Sequence, residues 1–211
     1  MFLELSTTRE ICSRFFNSLS KSFGILVFSD DMMIGRLISD NLKLPLLIVG
    51  EGPEMQLLSK FAGPTVKLLG YQTMVQVEEL MSRCRAFVYA GVEDFGIAPV
   101  EAMASGSPVI GFGKGGLLDT VRCASSGVPS PTGILFHEQT VESLSAAVAW
   151  FEERRLWREI SSESLRQWSE KFSPEAFSKR FEEVLNSSWL KHQKACAFEC
   201  SDPAQLFEGS Y

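Results

Sequence analysis

The chain has 211 residues, of which 45% are hydrophobic and 22% are charged, a composition that predicts a globular α/β protein with a buried core. A formal net charge of −6 argues against a general nucleic-acid or anionic-membrane surface. No apolar run reaches the roughly 18 residues that a transmembrane helix requires. The 5 cysteines are widely spread and odd in number, which indicates reduced thiols. We therefore expect a cytoplasmic protein without a transmembrane segment.

Residues 1–43 form a divergent N-terminal segment, with a first strand and helix as its candidate elements. The best strand candidate lies at residues 24–28. No acidic residue occurs between residues 11 and 29, as in many organelle-targeting peptides. Glu4 and Glu10 precede that stretch, and no arginine-rich amphipathic pattern follows it. Organelle targeting is therefore the weaker alternative to the cytoplasm.

From residue 44 onward, short apolar segments alternate with segments of helical periodicity. Strands are predicted at residues 45–49, 66–69, 86–90, 108–112 and 133–136. Helices are predicted at residues 53–61, 75–83, 99–104 and 117–123. Strands that are apolar on both faces are typical of a parallel sheet covered by helices on both sides. The fold class is therefore α/β, a doubly wound parallel sheet.

The pattern after Thr140 is helical as far as about residue 189, which predicts a C-terminal helical extension. Thr140 is the expected N-cap of the first of these helices, and Ser173 that of a later one that begins with Pro174. The domain is expected to span residues 44–190, followed by a flexible tail at 191–211. The helical aromatic positions are predicted to be core packing, with part of that surface exposed and prone to self-association. They are Trp150, Phe151, Trp157, Trp168, Phe172, Phe177 and Phe181.

Ligands of doubly wound sheets bind at the carboxyl ends of the strands, which directs attention to the segment after residue 90. Pro99 suits the first position of a helix, which would leave the amides of Gly96, Ile97 and Ala98 near the open helix start. Such amides, together with the positive end of the helix dipole, form an anion site. The sequence therefore predicts a phosphate-binding position at this helix start.

Two carboxylates are expected to bracket that position from opposite sides. Glu93 lies in the loop before it, and Glu101 lies in what we expect to be the first helical turn. Ionised carboxylates accept paired hydrogen bonds from neighbouring hydroxyls, as a sugar or a ribose would supply. The alternative is structural, because Glu101 could simply favour the helix dipole and Glu93 could be a solvated loop charge.

Residues 93–110 resemble the signature of group 1 (family-four) retaining glycosyltransferases, in which two glutamates are separated by seven residues. Residues 47–53 (Leu-Ile-Val-Gly-Glu-Gly-Pro), 68–71 (Leu-Leu-Gly-Tyr) and 113–121 (Gly-Lys-Gly-Gly-Leu-Leu-Asp-Thr-Val) are similar to the family's other motifs. The resemblance covers about residues 44–185. It implies the nucleotide-sugar-binding, Rossmann-like half of a GT-B fold. Within the family, the sequence most resembles mannosyltransferases that use GDP-mannose.

The resemblance also implies roles for individual residues. Glu93 would contact the donor-sugar hydroxyls beside the reacting carbon, and Glu101 would hold the ribose hydroxyls. The remaining donor-binding positions are the backbone of Phe95, Gly96 and Ile97 for sugar and diphosphate, Tyr71 and Gln72 for the base, and Gly50 and Gly52. The implied reaction transfers a hexose with retention to a glycan or lipid-linked acceptor. It needs no metal and no cofactor beyond the nucleotide-sugar donor.

Two features depart from the family pattern. The Arg and Lys that usually clamp the diphosphate after the first strand fall, by spacing, on Ile25 and Asp30. Only about 43 residues precede the matching region, so we expect the N-terminal acceptor domain to be missing. The alternatives are that the chain is a fragment, a spliced product, or one part of a complex in which a partner supplies that domain. We therefore expect the chain to bind better than it catalyses, and a non-catalytic binding protein is the alternative function.

A remote alternative is a dinucleotide-binding oxidoreductase domain. Gly111, Gly113 and Gly116 have the spacing of the dinucleotide fingerprint, and Glu138 follows about twenty residues on. The fingerprint belongs on the first strand, however, and this one follows the fourth strand of the 44–190 domain. A metal site at Cys196 and Cys200, near His192, is disfavoured because no second ligand pair accompanies them.

Overall fold

The computed structural model describes residues 23–28, 44–52 and 54–199. Asp30 and the chain beyond residue 199, including Cys200, lie outside these ranges. The chain divides into two compact units, residues 1–170 and 171–211. The first contains the sheet and the second contains the last helix. No helix in the described ranges combines the length and apolarity needed to cross a membrane.

The first unit is built on a parallel sheet of 6 strands in the order β3-β2-β1-β4-β5-β6. This order confirms the predicted doubly wound sheet. The strands are β1 (Phe23–Phe28), β2 (Leu46–Val49), β3 (Val66–Gly70), β4 (Cys84–Tyr89), β5 (Val109–Phe112) and β6 (Gly133–Phe136). Their apolar side chains explain the layered arrangement, since Ile48, Phe87 and Ile110 are fully buried under the covering helices.

The helices connect these strands and then continue to the C-terminal side. They are α1 (Glu54–Phe61), α2 (Met74–Arg83), α3 (Ile97–Ala104), α4 (Leu117–Thr120), α5 (Val141–Glu153), α6 (Leu156–Glu159), α7 (Ser162–Ser169) and α8 (Pro174–Glu199). Two predicted caps are confirmed: Thr140 Oγ1 accepts from Ser143 N at 3.2 Å, and Ser173 Oγ accepts from Ala176 N at 3.1 Å. Each satisfies a backbone donor that the first helical turn leaves open.

The helical part after Thr140 differs from the prediction in its interruptions and its end. Arg155 has a positive φ of 53°, which interrupts the helical conformation between α5 and α6. Ser161 caps α7 by accepting a hydrogen bond from Ser164 N. The last helix, α8, runs past residue 190 to Glu199, into the segment expected to be a tail. The domain boundary at residue 190 stays a prediction.

Of the seven aromatic residues predicted as core packing, Phe172 is half-buried and the other six divide into two groups. Phe151 is buried, and Trp150, Trp157 and Trp168 pack against the core of the first unit, as predicted. Phe177 and Phe181, on α8 in the second unit, are instead 66% and 51% exposed, so their assignment to the core is wrong. The physical reason is that α8 is the main described element of its unit and has little within that unit to pack against.

Because α8 exposes large apolar side chains, we expect the protein to self-associate as its concentration rises. Exposed apolar residues on this helix include Phe177, Phe181, Val184, Leu185, Trp189 and Leu190. Sedimentation velocity on the wild type and on Phe181→Glu should show the larger species reduced in the variant. A wild type that stays monomeric at every concentration would contradict this expectation.

The order of the strands places the switch point between β1 and β4. From this pair, β2 and β3 continue in one direction and β5 and β6 continue in the other. Loops that leave the carboxyl ends of such a pair diverge and open a crevice, where ligands of this fold bind. The loop after β4 contains Glu93, so the sheet puts the predicted donor segment at the crevice.

Candidate functional site

The loop between β4 and α3, residues 90–96, is held at its start and at its centre by hydrogen bonds from two neighbouring loops. At its start, Ala90 is buried and its carbonyl oxygen accepts from Gln139 Nε2 at 3.0 Å. At its centre, the Glu93 carbonyl oxygen accepts from the Gly116 N–H at 2.8 Å. The backbone of this loop is therefore fixed by the loops that follow β5 and β6.

The loop ends at Gly96, which is the N-cap of α3 and has the left-handed backbone angles φ 82° and ψ 73°. No side chain caps this helix start. The helix begins at Ile97, so Pro99 occupies its third position. The prediction that Pro99 occupies the first position is therefore wrong. Because proline has no N–H, the donors of the first turn come from Ile97 and Ala98. Pro99 therefore contributes no donor, and the anion position at Ile97 and Ala98 stays a prediction.

A substitution at Gly96 tests how far the helix start depends on this conformation. We expect Gly96→Ala to destabilise the protein by about 1–2 kcal/mol because a side chain disfavours left-handed backbone angles. The added Cβ would also lie 3.1 Å from Leu117 Cδ1.

Gly127→Ala is the matched control for this substitution. Gly127 has a φ of 66°, and an added Cβ would have nothing within 4 Å. Urea denaturation of both variants should show the larger loss for Gly96→Ala. Equal losses would mean that the packing around Gly96 contributes nothing.

Glu101 lies in the second turn of α3, and the first turn holds no acidic residue, contrary to the prediction. Burial raises the pKa of the Glu101 carboxyl, and the Glu78 carboxylate on α2 raises it further. A helix dipole acts within the first turn and would lower the pKa of an acid there. Because Glu101 lies in the second turn, the first-turn role that was its structural alternative has no basis in this helix.

Glu93 is exposed in the loop before the helix start. Its backbone position is fixed by the hydrogen bond from Gly116, while its carboxylate faces solvent. Phe95 and Ile97, the neighbouring predicted donor contacts, are 43% and 45% exposed. That the Glu93 and Glu101 carboxylates bracket one ligand remains a prediction.

The other predicted donor residues follow β2 and β3 at the same edge of the sheet. The Gly50 N–H donates to the Gly70 carbonyl oxygen at 3.0 Å and joins the ends of these strands. Gly52 is exposed two residues further on. Gln72 Nε2 donates to the carbonyl oxygens of Leu69 and Tyr71, both at 2.9 Å, so this side chain stabilises its own turn.

Tyr71 has a different environment from Gln72. Its side chain is 70% exposed, which leaves an aromatic ring available for stacking. Of the two residues predicted to receive the base, Tyr71 therefore has the freer side chain.

The glycines of residues 111–116 have a structural explanation that the sequence did not reveal. A Cβ on Gly116 would lie 2.5 Å from the Asp94 carbonyl oxygen, and one on Gly111 would lie 2.3 Å from Leu117 Cδ2. The space in front of the following short helix is thus filled by the protein's own loop. The dinucleotide-binding alternative loses its geometric basis, since its phosphate position is occupied. Gly113 faces His137 and β6, and Glu138 is exposed.

Spacing assigns the two positions of the diphosphate clamp to Ile25 and Asp30. Ile25 lies inside β1, paired with Leu46 on β2 and with Ala86 on β4, so it does not follow the strand. Asp30 lies outside the described residues. Within the described ranges, no group of three or more His, Cys, Asp or Glu residues could hold a metal ion.

Comparisons with known proteins agree with this fold. The model of a family described as "Glycosyl transferases group 1" matches residues 34–172. No curated protein matches the chain. The matched range contains every donor-binding residue predicted above.

Solved structures also resemble the chain. Sucrose-phosphate synthase from Thermosynechococcus elongatus has a TM-score of 0.64 and 20% identity, over 89% of this chain and 49% of that one. HepE from Anabaena, in complex with UDP and glucose, has a TM-score of 0.62 and 19% identity, over 87% of this chain and 52% of that one. The catalytic domain of starch synthase IV from Arabidopsis thaliana, bound to ADP and acarbose, has a TM-score of 0.58 and 17% identity, over 89% of this chain and 42% of that one. The chain thus spans about half the length of these structures and has the fold of one half of a GT-B protein.

Proposed function

We propose that this chain, which belongs to the group 1 glycosyl transferases, binds the nucleoside diphosphate sugar from which a hexose is transferred with retention. The observation that carries the proposal is the start of α3. It lies at the switch point of the sheet, begins with a left-handed glycine and has no side-chain cap. A helix start of this kind binds phosphate through its free amides and its dipole.

Each part of the donor has a proposed partner around that helix start. The diphosphate binds at the amides of Ile97 and Ala98, where negative charge is favoured. Glu93 accepts hydrogen bonds from the sugar hydroxyls and Glu101 from the ribose hydroxyls, as charge-assisted contacts. Tyr71 stacks on the base, and its exposed ring supports this role. Gly50, Gly52 and Gln72 shape the turns beside it.

The raised pKa of Glu101 supports its role as a ligand contact. Glu101 is exposed, so its carboxylate is accessible to a ligand. Ribose hydroxyls that donate to the carboxylate would stabilise its charged form, which partial burial and Glu78 disfavour in the free protein. Such an arrangement is typical of binding sites, where function outweighs stability.

The donor base and sugar are the finer part of the proposal. The resemblance of the sequence favours GDP-mannose, whereas the similar solved structures hold UDP with glucose in one case and ADP in another. We keep GDP-mannose as the proposed donor. Comparing the affinities of GDP, UDP and ADP distinguishes these bases directly.

Calorimetric titration with GDP, UDP and ADP tests the proposal. We expect weak binding with GDP favoured, because the described residues supply helix amides and carboxylates but no clamp at the expected spacing. If none of the three nucleotides binds below about millimolar concentration, where binding is worth about 4 kcal/mol, the proposed site is wrong.

A second candidate function is donor binding without transfer. It is favoured by Ile25 and Asp30, which occupy the two positions that spacing assigns to the diphosphate clamp. Positioning of an acceptor supplies about 7–11 kcal/mol of a bimolecular barrier, so transfer depends on where the acceptor is held. Incubation with GDP-mannose and a lipid or glycan acceptor separates the two functions: release of GDP identifies a transferase, and binding without release identifies a binding protein.

A further inference from the structure

We propose that the glycine loop, residues 113–116, positions the Glu93 loop for the donor, with Gly116 as the positioning residue. This inference rests on the proposed function, because it concerns how the donor site is built. It assigns a role to Gly115 and Gly116, which are not among the proposed donor contacts. The role is indirect: Gly116 acts through the backbone of residues 93–95.

The contact between the two loops is close and continuous. The Gly116 N–H donates to the Glu93 carbonyl oxygen at 2.8 Å. A Cβ built on Gly116 would lie 2.5 Å from the Cα and the carbonyl oxygen of Phe95, and one on Gly115 would lie 2.3 Å from the Glu93 carbonyl oxygen. Real Cβ atoms do not approach other atoms this closely. Any side chain at either position would therefore push the Glu93 loop away.

The backbone angles of Gly116 show that close approach is what requires glycine there. Its φ of −61° and ψ of −18° are right-handed helical values that every residue adopts easily. Gly115, by contrast, has a φ of 64°, so a substitution there would add backbone strain to the contact. Alanine at Gly116 thus changes one thing, the distance between the two loops.

Hydrogen bonds anchor the glycine loop to β6 and to α4, so it can hold the Glu93 loop in position. The Gly113 N–H donates to the Phe136 carbonyl oxygen at 2.8 Å, which ties the loop to β6. Thr120 Oγ1 donates to the Gly116 carbonyl oxygen at 3.0 Å. A displacement caused by a new Cβ will therefore fall on the exposed Glu93 loop and not on the anchored glycine loop.

Leu117 extends the same support to the helix start. It is fully buried, and its Cδ1 atom would lie 3.1 Å from a Cβ on Gly96. Its Cδ2 atom fills the space over Gly111. The glycine loop and Leu117 therefore set the positions of Glu93 and Gly96, which lie next to the proposed diphosphate position at Ile97 and Ala98.

Gly116→Ala, compared with Gly63→Ala, tests the inference. Gly63 lies in the connection between α1 and β3, outside the glycine loop, and a Cβ added to it would have nothing within 4 Å. We expect Gly116→Ala to bind GDP-mannose about tenfold or more weakly, as when one charge-assisted contact is lost, and to exchange amide hydrogens at residues 93–98 faster. Gly63→Ala should match the wild type in both measurements.

The outcomes separate this inference from the proposed function. Gly116→Ala with wild-type affinity and wild-type exchange at residues 93–98 overturns the inference. A wild type that binds no nucleotide overturns the proposed function, and the exchange measurement then still decides whether the loops are coupled. If Gly116→Ala does not fold, Leu117→Val replaces it, since this variant loosens the support under Gly96 without adding atoms. Unchanged exchange at residues 93–98 in Leu117→Val would equally overturn the inference.

Discussion

Glu101→Ala is expected to weaken the binding of nucleoside diphosphates by about 10–150-fold, which is the loss of about 1.5–3 kcal/mol for a charge-assisted contact. The reason is that Glu101 is proposed to accept both ribose hydroxyls, which every one of the candidate nucleotides carries. The loss should therefore be similar for a nucleotide and for its sugar conjugate. Calorimetric titration of the wild type and the variant gives both values.

The matched control for Glu101→Ala is Glu142→Ala. Glu142 is an exposed acid in the first turn of α5, so its removal changes the charge by the same amount. It should leave nucleotide affinity unchanged. Glu101→Ala with the affinity of the wild type would remove Glu101 from the site.

The same carboxyl should have the opposite effect on the stability of the free protein. Because burial and Glu78 raise the pKa of Glu101, the folded state binds more protons than the unfolded state between the ordinary and the raised pKa. Its contribution to the free energy of unfolding therefore falls as pH rises through this window. We expect Glu101→Gln to be more stable than the wild type at neutral pH, with the difference shrinking toward about pH 3.5.

Urea denaturation of Glu101→Gln and the wild type at the two pH values measures this difference. A variant that is both more stable and weaker in binding would identify Glu101 as a residue kept for function at a cost in stability. Lower stability of Glu101→Gln at neutral pH would show that the carboxylate supports the fold instead.

Glu93→Gln is expected to produce the second large effect, a loss of about 10–150-fold for the nucleotide sugar with no loss for the nucleotide alone. Glu93 is proposed to contact only hydroxyls of the transferred hexose, and GDP has no hexose. This pattern differs from that of Glu101, which should affect both ligands. Titration with GDP and with GDP-mannose distinguishes the two carboxylates.

Asp94→Asn is the control for Glu93→Gln, because Asp94 is the next exposed acid in the same loop. It removes the same charge one residue away and should leave both affinities near those of the wild type. Equal losses in the two variants would mean that the loop acts through its net charge and that Glu93 makes no specific contact.

Much of the fold could be predicted because its signals are local. Short strands that are apolar on both faces identify a parallel sheet, and the caps Thr140 and Ser173 act on amides three residues away. The start of α3 was less predictable. Pro99 suits either the first or the third position of a helix, since neither requires its missing N–H.

The packing between loops was not predictable, because it depends on residues that are distant in the chain. Gly116 contacts residues 93–95 only after β4 and β5 become neighbours in the sheet. The sequence shows paired glycines before a leucine, and that pattern is typical both of a phosphate-binding turn and of close packing. Phe177 and Phe181 were misassigned for a similar reason, since helical periodicity indicates an apolar face and not what covers it.

The most direct test of the account follows the amide resonances of the α3 helix start during a titration with GDP. We expect the signals of Ile97 and Ala98 to shift in step with binding, because their N–H groups would donate to the diphosphate. The Gly127 amide, in a distant turn, should stay unchanged. Saturation by GDP without any shift of Ile97 and Ala98 would contradict the claim that this helix start holds the donor.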